Sequence, residues 1–226
     1  MKEPLRGAMA TETLSIRVAV VRSPWLNQIG QGTQVEALIS AWFGAPDVIE
    51  LAREGEQSNN VDFSCLLADG NPAFSVLVVP GGNDRKLWSS IVDPQRASQQ
   101  IQAFVARGGG YVGICAGMCL ASQGYWDVEG RLPAEQAERK AEFAHFLGLF
   151  PSELLNLHRL RKVDLCWNDA LDDSHPMRSA LSSATLVGGR FNDGNVVVEP
   201  PPAGTELLLR YASDEAWSTE EVSIYS

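Results

Sequence analysis

Cys115 stands in Gly113-Ile114-Cys115-Ala116-Gly117, between the apolar run Tyr111 to Ile114 and a second apolar stretch. A cysteine in this setting can attack a carbonyl carbon. A strand that turns sharply into a helix lifts the side chain out of the sheet, and the helix start offers unpaired N–H groups to a thiolate or an oxyanion. Such a turn crowds the backbone, so small residues are needed two before and two after the nucleophile, and Gly113 and Gly117 meet that need. Pro80-Gly81-Gly82 ends an earlier apolar run, Ser75 to Val79. The amides of Gly82 and Ala116 are expected to form a two-donor oxyanion hole, with Gly81, Gly113 and Gly117 as the glycines that shape the turns.

A cysteine nucleophile needs a base, usually a histidine oriented by a carboxylate. The chain has three histidines, His145, His158 and His175. His145 lies among Phe143 and Phe146 and reads as a packing residue, while His158 belongs to the basic run His158 to Lys162, which reads as a solvated loop. His175, in Ser174-His175-Pro176, is the remaining candidate base, although its setting also suits a turn or a helix cap. The four cysteines, Cys65, Cys115, Cys119 and Cys166, show no metal-ligand spacing. Cys119 follows Cys115 by one helical turn and reads as a small core residue, since side chains at that spacing rarely meet disulfide geometry. No metal and no cofactor is expected.

Alternating elements position these residues. Ile16 to Val21 reads as a first buried strand and Asp47 to Leu51 as a second. Thr33 to Glu36 reads as a capping box opening a helix with Val35, Leu38, Ile39 and Trp42 on one face. Residues 52–72 read as a loop with one short element around Phe63 to Leu67. Ser75 to Val79 is a strand, residues 95–107 a helix with Ile101, Phe104 and Val105 inward, and Tyr111 to Ile114 a strand. This alternation predicts a parallel sheet with right-handed crossovers. Short β-like runs follow at Val163 to Trp167, Thr185 to Val187, Val196 to Val198 and Leu207 to Tyr211, with Asn192-Asp193-Gly194 as a hairpin signal.

The chain has 226 residues, 45% of them apolar and 20% charged, with a formal charge of −10. This is an ordinary globular mixture that repels polyanions, so no nucleic-acid partner is expected. Nothing approaches the roughly 18 apolar residues of a membrane span, and no membrane partner is expected. Residues 1–15 read as a flexible tail, and residues 16–226 as a single domain truncated at its C-terminus. Cysteine usage fits a reducing, cytoplasmic setting.

The stretch Val79 to Gly82 followed by Phe104 to Gly117 resembles the class I glutamine amidotransferase-like superfamily. Within it the nearest likeness is the amidotransferase-like N-terminal domain of biotin–protein ligases and its stand-alone relatives. Phe146 to Pro151 loosely matches a phenylalanine-leucine-proline segment of that group, and Phe191 to Gly194 an aromatic-Asn-x-Gly turn. The resemblance implies a flavodoxin-like α/β fold with Cys115 on a nucleophile elbow. It also implies chemistry on a small-molecule amide or ester through a thioester. Three departures stand against a working glutaminase. The glutamine expected four residues after the nucleophile is Cys119, the late His-x-Glu pair does not occur before Ser226, and the histidine that an intracellular-protease branch places directly after the nucleophile is Ala116. A base would then have to come from a longer chain, a partner chain or a homo-oligomer. The alternatives are a non-catalytic binding or regulatory module that kept the pocket, and a redox sensor at Cys115.

Overall fold

The computed structural model describes residues 16–23, 31–50, 63–89, 91–127, 146–151, 154–163, 165–167, 174–176, 189–196, 203 and 209–211. Its centre is a four-stranded sheet of β1 (Val18–Arg22), β2 (Asp47–Glu50), β5 (Val76–Val79) and β6 (Gly110–Gly113), in the order β2-β1-β5-β6. All three pairings are parallel. The chain moves outward from β1 to β2 and then crosses back to β5, as in a flavodoxin-like fold, and the order reverses between β1 and β5. A hairpin of β3 (Leu67–Ala68) and β4 (Asn71–Pro72) follows a 3-10 turn at Phe63–Leu66.

Alternation along the strands explains both faces of the sheet. Ala19, Val21, Leu77 and Val79 point to one side, where they pack with Phe63, Leu66, Leu87, Ile101, Phe104, Ala116 and Leu120. Val18, Val20 and Val78 point to the other, against Ile39 and the half-buried Val35 of α1 (Gln31–Phe43). Strands covered on both sides are continuous apolar runs, and this is why Val18 to Val21 and Val76 to Val79 contain no polar residue. The larger face carries α2 (Asp84–Ser89), α3 (Pro94–Ala106) and α4 (Ala116–Ala121). Asp93 caps α3 by accepting the Arg96 N–H at 2.9 Å, and Pro94 occupies the first helical position, where a missing N–H costs nothing.

Several elements differ from the sequence expectation. Helix α1 begins at Gln31, so Thr33 lies within it and does not cap it, and Glu36 turns instead to Arg22. Leu38 is 62% and Trp42 76% exposed, so the apolar stripe facing the sheet is narrower than the pattern suggests. Helix α2 has an unread signal. Asn83 accepts the Lys86 N–H at 3.0 Å, and Asp84 stands in the first turn.

The basic run His158 to Lys162 is not a loop. It lies in β8 (Leu154–Val163), which pairs antiparallel with β10 (Gly189–Val196) and parallel with β7 (Tyr125–Asp127). Backbone pairing satisfies the strand whatever its charge, and the alternation Leu155-Asn156-Leu157-His158 already carried a strand period. Asn192 to Gly194 is no hairpin turn either. It lies inside β10, where the ladder shifts between the Asn192–Leu160 and Gly194–Leu157 pairs. The run at Val163 to Trp167 becomes β9 (Leu165–Trp167), antiparallel to β11 (Leu209–Tyr211). The runs expected at Thr185 to Val187 and at 197–198, the tail 1–15 and His145 lie outside the described residues.

Candidate functional site

Parallel strands end side by side, and here that brings the two turns of interest together. Val79 ends β5 opposite Gly113 of β6, and the Ile114 N–H donates to the Val79 carbonyl at 3.0 Å. One step beyond, β5 runs into Pro80-Gly81-Gly82 and β6 into Ile114-Cys115. Both turns therefore lie at the carboxyl edge of the sheet, the edge at which open α/β folds bind ligands. Pro80 and Gly81 are buried, while Gly82 is half-buried with φ of 155°.

Cys115 is the residue between β6 and α4. Its backbone takes φ 51° and ψ −106°, a conformation that an L-residue rarely holds and that costs of order 1–3 kcal/mol. The packing on either side keeps it there. A Cβ on Gly113 would lie 2.6 Å from the Gly117 carbonyl carbon and oxygen, and a Cβ on Gly117 would collide with the Val79 carbonyl oxygen. The start of α4 is thus pressed onto the ends of β5 and β6 with no room for a methyl group at either position. Cys115 is exposed and its side chain makes no capping bond to α4. Ala116 is buried, and the Gly117 N–H already bonds to the Ile114 carbonyl at 3.0 Å. Among the described residues, neither the Ala116 nor the Gly82 N–H donates to the backbone.

A further clamp comes from Tyr111, which sequence reading treats only as a strand residue. Its hydroxyl donates to the Gly117 carbonyl at 2.7 Å. Burial raises its pKa well above the usual tyrosine range, with the charge of nearby Cys119 as the lesser cause, so the hydroxyl stays protonated and remains a donor. Tyr111 and Gly113 share a face of β6, and Gly113 lies against Gly117, so the strand brings the ring of Tyr111 to the start of α4. The Tyr111 ring also borders a small apolar void of about 10 Å³ lined by Val79, Ile101, Leu120 and neighbours, too small for a ligand.

Helix α4 has only six residues, so it depends on a distant segment to satisfy its carbonyls. Leu147 N–H donates to the Leu120 carbonyl at 2.8 Å, Phe150 N–H to that of Ala121 at 2.8 Å, and Gly148 N–H to that of Ser122 at 3.2 Å. The Gln102 amide holds the same segment through the Leu147 carbonyl at 2.7 Å. Cys119 is buried on this side with Leu154, against Met118, Phe146 and Phe150.

Arg22 ends β1 on the same sheet edge. It forms two bonds to Glu36, at 3.0 and 2.7 Å, and one to Glu50 at 2.9 Å. The Glu36 bonds, then Glu50, raise its pKa above the ordinary arginine value, so the guanidinium is permanently charged and already neutralised by its own neighbours. Of the histidines, His175 is half-buried in the short segment Ser174–Pro176, and His158 lies on β8. Among the described residues no group of three or more His, Cys, Asp or Glu could hold a metal, and no helix is long and apolar enough to cross a membrane.

One family model matches a segment that contains both turns and reaches the segment that seals α4. Residues 60–148 match the family model for "Biotin-protein ligase, N terminal". The biotin-protein ligase N-terminal match spans less than half of the chain and agrees with the resemblance carried by Val79 to Gly82 and Phe104 to Gly117. It takes in β5, α3, β6 and α4 and ends within the Phe146 to Phe150 strap. No curated protein and no solved structure matches the chain.

Proposed function

We propose that Cys115 is the nucleophile of an acyl-transfer site acting on a small-molecule amide or ester. The observation that carries this reading is the exposed Cys115 thiol at φ 51°, between a strand end and a helix start, beside Pro80-Gly81-Gly82. In the reaction the Cys115 thiolate attacks the carbonyl carbon, the C–S bond forms and the π pair moves to oxygen. The Gly82 and Ala116 N–H groups receive that oxyanion. Collapse expels the amine or alcohol, which takes up a proton, and water then hydrolyses the thioester to acid and free thiol. The helix is short, so the stabilisation rests on these individual amides more than on a macrodipole. His175, or a histidine supplied by a partner chain, would take the thiol proton.

The test is acyl trapping with an activated ester such as p-nitrophenyl acetate. One equivalent of nitrophenol should be released in a burst, with the acyl group found on Cys115 by mass spectrometry and absent in Cys115→Ala. Acylation of a second exposed thiol, Cys65, at an equal rate would sink the proposal.

A second reading is favoured by Cys119. The position at which glutaminases hold substrate is here 6% exposed and packed with Leu154. A binding or regulatory module that retained the pocket without turnover fits that burial. Such a module would bind its small-molecule ligand equally well as Cys115→Ser.

A further inference from the structure

Tyr111 and Cys115 are joined through a single peptide group. The Tyr111 hydroxyl donates to the Gly117 carbonyl at 2.7 Å, and the N–H on the other side of that peptide, Met118 N–H, donates to the Cys115 carbonyl at 2.9 Å. A bond accepted at one end of an amide polarises it and strengthens the bond donated at the other. The Cys119 N–H reaches the same Cys115 carbonyl at 3.1 Å. The orientation of that carbonyl sets ψ of Cys115, and with it the direction in which the thiol leaves the backbone. We infer that Tyr111 is a positioning residue for Cys115, acting through the Gly117–Met118 peptide to hold the thiol in its exposed, strained orientation.

The arrangement suits this task. Tyr111 lies in β6, flanked by a strand on its β5 side, so the hydroxyl is referenced to the sheet rather than to the helix it braces. The bond crosses where Gly113 and Gly117 are already in contact, so it opposes a sliding of α4 away from β6. Its functional meaning rests on the proposed role of Cys115, while the relay itself is a matter of geometry.

Tyr111→Phe keeps the ring that borders the void and removes only the donor. Two quantities are then measured in the folded protein: hydrogen exchange at the Met118 amide, and the ratio of iodoacetamide alkylation rates at Cys115 and Cys65. Exchange at Met118 should rise about tenfold and the ratio should fall about three- to tenfold. Ile101→Val, which disturbs the same apolar layer without touching the relay, should leave the ratio unchanged. An unchanged Met118 amide overturns the relay. A faster Met118 amide with an unchanged ratio overturns the positioning role, as does an equal fall in Ile101→Val.

Failure of the acyl-transfer reading would be seen separately, as a wild-type Cys115 that alkylates but forms no acyl adduct. If Tyr111→Phe does not fold, the wild-type protein still decides. Its Tyr111 hydroxyl proton should give a slowly exchanging NMR resonance with a through-space contact to the Gly117 α-protons, and absence of that resonance overturns the inference.

Discussion

Cys115 is held at a backbone angle that glycine would adopt without strain, and this inverts an ordinary expectation. Replacing a residue by glycine usually costs stability because the unfolded chain gains freedom, by about 0.4–1 kcal/mol relative to alanine. At φ 51° the relief of strain, of order 1–3 kcal/mol, exceeds that cost. Cys115→Gly should therefore be more stable than Cys115→Ala by about 1 kcal/mol, read from urea unfolding midpoints of the two variants. Equal stability, or the reverse order, would mean that the turn relaxes in the absence of the thiol. The two glycines beside it were legible in the sequence because a crowded turn demands small residues at those spacings. Tyr111 was not, because nothing in a strand pattern says which inward side chain carries a hydroxyl to a helix carbonyl.

At the level of elements, the parallel core was readable because Val18 to Val21 of β1 and the whole of β5 are unbroken apolar runs, β5 stops at Pro-Gly-Gly and a glycine triplet leads into β6. Arg17, ahead of β1, ties the opposite end of the sheet together by bonding to the Ala73 carbonyl at 3.0 Å and Asp47 at 3.0 Å. Reading failed where charge or turn residues sit inside strands: the basic stretch of β8 and Asn192 to Gly194 of β10 both look like loops by composition. It failed again at α1, which begins at Gln31, ahead of the Thr33 to Glu36 box. The strap from Phe146 to Phe150 had only a loose family likeness to mark it, since its bonds to α4 are long-range. Leu147 is 1% exposed and belongs to the main core. Leu147→Ala should cost about 2–5 kcal/mol by burial and cavity terms, measured by chemical denaturation. It should also speed exchange of amides in α4 beyond what that global loss explains, since the strap completes the helix end. A loss confined to global stability, with α4 unaffected, would reduce the strap to packing alone.

For the whole molecule, the two apolar faces of one parallel sheet supply the stability, and the surface ion pairs contribute little. Arg17 and Asp47 are each about half exposed, so their pair is worth roughly 0–1 kcal/mol. Tyr111 adds a pH-dependent component on the alkaline side. Its hydroxyl is raised in the folded state and returns to about 10 on unfolding. Above pH ~10 the unfolded chain thus binds fewer protons than the folded one, and stability falls as pH rises. Up to about 1.4 kcal/mol per pH unit is expected from this group. Tyr111→Phe should remove that component, so the difference in stability between wild type and variant should shrink steadily from pH 9 to 11. A difference that stays constant across that range would show that the hydroxyl ionises as freely folded as unfolded.

The strap that closes α4 has a consequence for how the protein is made. A ribosome releases β6, Cys115 and α4 before it has synthesised Phe146 to Phe150, so the nascent chain carries the thiol ahead of the residues that finish its helix. Until the strap arrives, the carbonyls of Leu120, Ala121 and Ser122 have only water to bond to, and a six-residue helix has little cause to persist in water. The cysteine turn is thus assembled late, when the chain closes over it, and a chain interrupted before residue 146 would hold the whole motif without the shape that gives it a use.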